Sequence, residues 1–597
     1  MSFMFNPYPY ADPDAVNPVT GMGVKPTQSL TETARRVADM VLAGQRVGLD
    51  AYPGADVMSL VNTVRNLCAG QAVRYVDAAS LLKTPEEITR MLKPYLPEDR
   101  EADPVLLYGR RYRDGYRGLQ VEDKVEALKA ELQKPGAALV FGAGALAPEL
   151  QSSYDVRIWM DITPRNAVLA YKNGHARNIG AGEPLTFNLT MRRNYYVDFE
   201  TAMEQRWGLI RSGTMDYYIT ADIPEKMQMV SFADLKKLLD EIVVRPFRCR
   251  PVYLEGVWGG WYIHRLRHLP KEMRNCAWVF DMIPLEVSLV AKTESYEFEL
   301  PFFTFVQVEG ETLLGKRAYE EFGGYFPIRF NYDDTFHSSG NMSIQCHPDG
   351  PYVTANHDEL GRQDESYYVC VTGQDAKTYL GFQNESSCEA FFREARRVEH
   401  TGEKIDYDQY VNHVPSKPGT QVMIPAGTIH ASGRNQVVLE IGSLTVGSYT
   451  YKLYDYQRID PGTGLARPIH LKMGADVIRG ERTKEWVYDN LVDHGGVVRQ
   501  GEDWKEIIKG EHDLLYFSLR NLVFNTTVED DTDGLFHVLA LVDGEKVRVE
   551  SIDDPSKFYL MNSMDMVVIP ANLGRYRLIN LGQGTVTVHK THLKKEK

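Results

Sequence analysis

The spacing of apolar residues changes once along this chain, near residue 245, and that change constrains the fold more than any other feature. Up to Arg245, segments with helical spacing alternate with short apolar runs. Residues 31–42 (TETARRVADMVL) are amphipathic at the 3.6-residue period, and 46–49 (RVGL) predict a short buried strand. Residues 50–56 (DAYPGAD) predict a turn, and 57–67 return to helical spacing. At Thr84-Pro85-Glu86-Glu87 the threonine can cap, the proline suits the first helical position and Glu87 completes a capping box. Strands at 139–141 and 156–160 complete an α/β domain with a mostly parallel sheet and helices on both faces. From Pro246 onward, short strands bounded by Gly, Pro, Asn and Asp take over, at 296–305, 421–424, 437–441, 567–569 and 585–589. They predict an antiparallel sandwich or barrel. Helical spacing returns at 387–399 and 486–490.

A chain of 597 residues holds more than one domain. Its net charge of −14 argues against a nucleic-acid binder, whose footprint is a basic surface. The six cysteines include no C-x-x-C pair, which predicts free thiols in a reducing compartment. The start, MSFMFNPYPYADPD, has no cationic stretch followed by an apolar core, so no signal peptide is expected. No apolar run reaches the roughly 18 residues of a membrane span. These features predict a soluble cytoplasmic protein, with room for a homo-oligomer.

Two glycine-bearing turns in the first part invite a nucleotide reading. The strand–turn–helix over 46–67 weakly resembles a degenerate P-loop kinase domain. It has neither the lysine that reaches phosphates nor the Ser/Thr that holds magnesium. Residues 140–146 (VFGAGAL) lack the third glycine of the dinucleotide fingerprint.

Chemistry concentrates in three stretches of the second part. In Ser343-Ile344-Gln345-Cys346-His347-Pro348-Asp349, Gln345 and His347 share one face of an extended chain. Glu365 leads an aromatic strand, and the run from Gly419 to His430 ends a strand at Pro425, turns at Gly427 and presents His430. Gln345, His347, Glu365 and His430 offer two imidazoles, a carboxylate and an amide oxygen. That set suits Zn²⁺ with a position left open for substrate, and also accepts iron, manganese, nickel or cobalt.

The last run fits G-x5-P-x-G-x2-H, the second motif of the cupin superfamily, with Arg434 where that family has asparagine. Within the superfamily, roughly the last 350 residues resemble type I mannose-6-phosphate isomerase. Trp258-Gly259-Gly260 matches W-G-G, and Ser343 to Asp349 match S-x-Q-x-H-P-D, with Tyr352 shortly after. Pro425 to Ala431 match P-x-G-x-x-H-A, Leu439-Glu440-Ile441 match A-E-I, and Thr450 to Asp455 match T-Y-R-L-Y-D. Residues 567–575 echo the Pro–Gly turn with Arg575 at the position of His430, as a second, metal-free barrel would. The resemblance implies three parts: an α/β domain over 1–245, a metal-binding jelly-roll barrel with a helical insertion over 246–510, and a metal-free barrel over 511–597.

The resemblance further implies an aldose–ketose isomerase working through a cis-enediol on mannose 6-phosphate or a related sugar. Metal ligands would be Gln345, His347, Glu365 and His430. Lys452 would stand beside the metal and Glu440 would be the acid/base, or else orient a ligand. Ser343, Asp349, Tyr352, Asn331 and Arg329 would face the sugar, with turn structure the alternative role of Asp349 and Tyr352. Two departures bear on the substrate. Lys452 replaces the family's arginine, whose planar fork it does not reproduce. Asn331 falls where the family has a lysine, with Arg329 able to compensate only by facing inward. An isomerase of an unphosphorylated or otherwise modified sugar, and a non-catalytic sugar-sensing protein, are the alternatives.

Overall fold

At the helix Pro85–Leu92 the Thr84 hydroxyl accepts from the Glu87 amide while the Thr84 amide donates to the Glu87 carboxylate. Both otherwise orphaned N–H groups are thereby satisfied, so the helix starts at its proline. Helix Leu30–Leu42 is capped by Ser29 and buries Ala34, Val37, Ala38 and Val41, the stripe its spacing predicts. In this computed structural model, residues 6–459, 464–493 and 495–594 are described. The first five residues, part of the stretch read for a leader, lie outside them.

The first part is built on a six-stranded sheet, in the order Arg74–Asp77, Ala138–Phe141, Arg46–Ala51, Val156–Asp161, Tyr217–Thr220, Gln228–Ser231. The first five strands run parallel and the last is antiparallel. The two glycine-bearing turns meet at the end of strand Arg46–Ala51. There the buried Asp50 carboxylate accepts from the amides of Gly144 at 3.1 Å, Leu146 at 2.9 Å and Ala51 at 2.8 Å. The chain's own carboxylate thus occupies the amides that a bound phosphate would need.

Two antiparallel sheets face each other in the middle of the chain. One has six strands, in the order Gln421–Ile424, Glu365–Thr372, Gln436–Ser443, Ile328–Asp334, Trp278–Met282, Val252–Leu254. The other has five, in the order Val411–Pro415, Lys377–Phe382, His430–Ser432, Ile344–Cys346, Tyr451–Tyr454. A further pair, of six and four strands, is formed from Val497 to Leu593.

The stretch 296–305 is not the single strand its apolar run predicts. Strand Glu297–Pro301 gives way to the helix Phe302–Leu314, which is apolar on nearly every side. A helix buried all round carries no amphipathic signature, so periodicity does not separate it from a buried strand. Its Phe302, Phe303 and Phe305 pack on Phe326, Tyr325 and Phe247. Thr304 donates to Asp161, and Gln307 accepts from Arg206, which itself pairs with Asp161 at 2.8 Å. This helix therefore joins the α/β sheet to the later sheets, and strand Asn17–Pro18 crosses over to pair with Ser288–Lys292. Among the described residues no helix is long and apolar enough to cross a membrane. The six cysteines are free.

Candidate metal centre

Strand register brings the three chemical stretches together. Gln345 pairs with His430 on one side and with Lys452 on the other, so all three side chains lie on one face of the five-stranded sheet. Strand Ile344–Cys346 stops before His347, which follows it into the same space. Glu365, at the head of its strand on the opposite sheet, points across to them.

His430 is aimed by the turn before it. Gly427 adopts φ +86, and a Cβ there would lie 2.6 Å from Arg479 Cγ and 2.8 Å from the Val477 carbonyl. Only glycine fits, and its amide donates to the His347 carbonyl at 2.7 Å, tying the two histidine-bearing segments together.

His347 Nε2 lies 3.2 Å from His430 Nε2 and 3.0 Å from Glu365 Oε2, and His430 Nε2 lies 3.4 Å from the same oxygen. All three residues are buried. His347 Nδ1 is 3.0 Å from the Tyr449 carbonyl, and His430 Nδ1 is 2.9 Å from the Thr428 carbonyl. A carbonyl only accepts, so each Nδ1 carries a proton, and in the neutral imidazole each Nε2 presents a lone pair. In that form two imidazole lone pairs and a carboxylate oxygen converge with no proton between them. Glu365 Oε2 accepts no hydrogen bond among the described residues. Electron pairs converging in a buried space are costly unless a cation joins them, so the donor set fits a divalent metal. Gln345 Nε2 is 3.4 Å from His430 Nε2, and a half-turn of its amide brings the oxygen to the same place.

The other carboxylate oxygen, Glu365 Oε1, accepts from Arg329 at 2.5 Å and from Gln363 at 3.3 Å. Arg329 also donates to Glu440 at 2.8 Å. It does face inward, because residue 442, between it and Glu365 in the register, is glycine. A Cβ at 442 would lie 3.2 Å from Arg329 Nε. Asn331 is buried beside this arginine and donates to Asp333 at 2.9 Å.

A cavity of about 610 Å³ opens onto the cluster, lined among others by Gln345, Glu365, Arg329, Asn331, Ser343, Glu440 and Lys452. Ser343 donates to Gln345 Oε1 at 3.2 Å. Burial pushes the Lys452 amine down to about 7, with Arg467 and Arg458 adding to the effect and Asp455 opposing it. Asp349 and Tyr352 are not brought to the cavity. Asp349 caps the helix Gly350–His357 and pairs with Arg479 at 2.7 Å, and Tyr352 packs edge-on against Tyr451. Their role in the fold is the turn and helix start.

Sequence reasoning misses Gln363, which lies 3.0 Å from His347 Nδ1 and accepts from the Tyr449 amide at 2.8 Å. Its signal was its place two residues before Glu365 in extended chain, on the same face. It also misses Tyr108, Tyr195 and Tyr196, which bring the first part of the chain to the cavity wall. No local pattern carries that information.

A sheet-rich, multidomain chain with a buried His–His–Glu cluster is the class that fold and site define. Residues 28–244 match the family described as a domain of unknown function (DUF8485). The chain is 25% identical over 345 residues to mannose-6-phosphate isomerase ManA of Bacillus subtilis (strain 168), covering 56% of this chain and 96% of that protein. It is 28% identical over 238 residues to the mannose-6-phosphate isomerase of Streptococcus mutans, covering 38% of this chain and 67% of that one. The crystal structure of the mannose 6-phosphate isomerase from Bacillus subtilis aligns with a TM-score of 0.46 at 20% identity, over 58% of this chain and 100% of its own.

Proposed function

We propose that this chain is a metal-dependent aldose–ketose isomerase of the mannose-6-phosphate isomerase type. Its two β regions are read as a metal-binding cupin barrel over 246–510 and a metal-free one over 511–597, after an α/β domain over 1–245. The observation that carries the reading is the convergence of His347 Nε2, His430 Nε2 and Glu365 Oε2 within 4.8 Å at the end of a cavity. The isomerases among its relatives supply the reaction class.

Gln345, His347, Glu365 and His430 would hold the metal, most simply Zn²⁺. When bound, the metal supplies Lewis-acid polarisation of the sugar carbonyl. The chain's own residues do the rest. Lys452 stands next to Gln345 in the sheet, and an amine that titrates near 7 takes the proton from C2 and returns it to C1 through the cis-enediol, while the hydroxyl proton passes from O2 to O1. Arg329 fixes Glu365 and Glu440 at once. With the Gln345 oxygen turned toward the metal, the Ser343 hydroxyl would accept from its amide nitrogen and so orient it.

A second reading keeps the chemistry on a sugar without a phosphate. It is favoured by Asn331, which is neutral, and by Arg329, whose two contacts with carboxylates use its charge. The test is turnover of phosphorylated and free hexoses by metal-loaded protein, with and without chelator. Metal-dependent conversion of mannose 6-phosphate supports the first reading. Preference for a free hexose supports the second, and no conversion of any aldose or ketose refutes both.

A further inference from the structure

The first part of the chain touches the metal centre through a buried relay. Arg111, fully buried, donates to Glu200 at 2.6 Å and to the Tyr325 hydroxyl at 3.2 Å, and lies 3.6 Å from Glu359 Oε1. The other Glu359 oxygen, Oε2, accepts from the Gly447 amide and from the Tyr449 hydroxyl, each at 2.9 Å. Tyr449 is the residue whose carbonyl holds His347 Nδ1. Around this line the 108–111 segment is fastened to the barrel. The Tyr108 hydroxyl donates to the Thr450 carbonyl at 2.7 Å, the Arg111 amide donates to the His357 carbonyl at 3.0 Å, and the Gly109 carbonyl lies 2.8 Å from His357 Nδ1. Position 447 has no room for a side chain: a Cβ would lie 2.6 Å from the Tyr449 hydroxyl and 2.7 Å from that of Tyr196.

We propose that Arg111 is a positioning residue for the metal ligand His347, acting through Glu359 and Tyr449, so that the α/β domain is part of the metal centre rather than an appended module. The inference rests on the metal-site reading above. The partner that fixes the second nitrogen of a ligating histidine sets its tautomer and orientation, and losing it typically weakens metal binding by 10–100-fold. Here that partner is a carbonyl in a loop held by a carboxylate, and Arg111 is the cation that lies 3.6 Å from this carboxylate and holds it in place.

The experiment measures Zn²⁺ affinity by competition with a chromophoric chelator in the full-length chain, for Arg111→Gln, Tyr449→Phe and the double variant. Circular dichroism and thermal melting establish folding. Each single variant is expected to bind Zn²⁺ about tenfold more weakly. The double variant should be no weaker than the weaker single one, because both cut the same line. A folded Arg111→Gln protein with wild-type affinity overturns the inference, as do losses that multiply in the double variant. If Arg111→Gln does not fold, Tyr449→Phe decides: the ring stays, the hydroxyl contact goes, and unchanged affinity overturns the relay. Sugar turnover is not read, so wild-type protein that binds Zn²⁺ yet converts no sugar defeats the isomerase reading and leaves this test intact.

Discussion

Replacing Arg329 by methionine isolates the electrostatics of the site. The guanidinium lies 2.5 Å from Glu365 and 2.8 Å from Glu440, all three groups buried or nearly so. Asp333 stands close enough to Glu440 that burial, with Glu440 adding, raises its carboxyl well above the usual range. Methionine keeps most of the volume and removes the cation that bridges Glu365 and Glu440. Breaking a buried pair from one side costs about 3–5 kcal/mol, because the remaining charge stays buried and uncompensated. The loss should depend on pH with a definite sign. Asp333, whose carboxyl burial and Glu440 already raise, loses in Arg329 a cation that lowers it, so its folded-state value climbs further and stability falls as pH rises from 5 to 8. Glu440→Gln in the same chain removes one of the repelling charges and should recover about 1–3 kcal/mol at pH 8. Calorimetric melting of the single and double variants at both pH values measures this. An Arg329→Met protein within about 1 kcal/mol of wild type at pH 8, or no recovery in the double variant, refutes the reasoning.

Lys452→Met should lower kcat/KM by about 10²-fold or more and abolish the rise in rate with pH through about 7 that a neutral Lys452 predicts; a pH–rate profile checks both. Asp349→Ala removes a helix cap and should cost about 1 kcal/mol of stability while leaving KM for the sugar unchanged, read by thermal melting and steady-state kinetics. Gly427→Ala puts a Cβ against Arg479 and the Val477 carbonyl at positive φ, and should destabilise the chain by about 1–3 kcal/mol and weaken metal binding in a chelator titration.

The site was legible where its chemistry is local. The run Gly419 to His430 carries its turn in its own residues, because Pro425 ends the strand and Gly427 supplies a backbone state other residues avoid. Gln345 and His347 were found because two residues of extended chain repeat a face. Asp349 and Tyr352 are given to the sugar by the family resemblance, with turn structure as the alternative, and the helix that Asp349 caps carries them away from the cavity. Whether Arg329 faced inward was not readable from its own strand, since the answer lies in Gly442 on the neighbouring one. The helix Phe302–Leu314 was hidden by burial on all sides. The relay from Arg111 joins residues 89 to more than 200 apart in sequence, through ion pairs and hydrogen bonds that no periodicity records.

Three distant stretches of chain converge on a space that a single cation would fill. Crystals grown with Zn²⁺ and measured at the zinc absorption edge test it directly. One strong anomalous peak is expected within about 2.0–2.2 Å of His347 Nε2, His430 Nε2 and a Glu365 oxygen, with Gln345 completing the set. Full occupancy of zinc elsewhere, with the space between these two imidazoles empty, contradicts it.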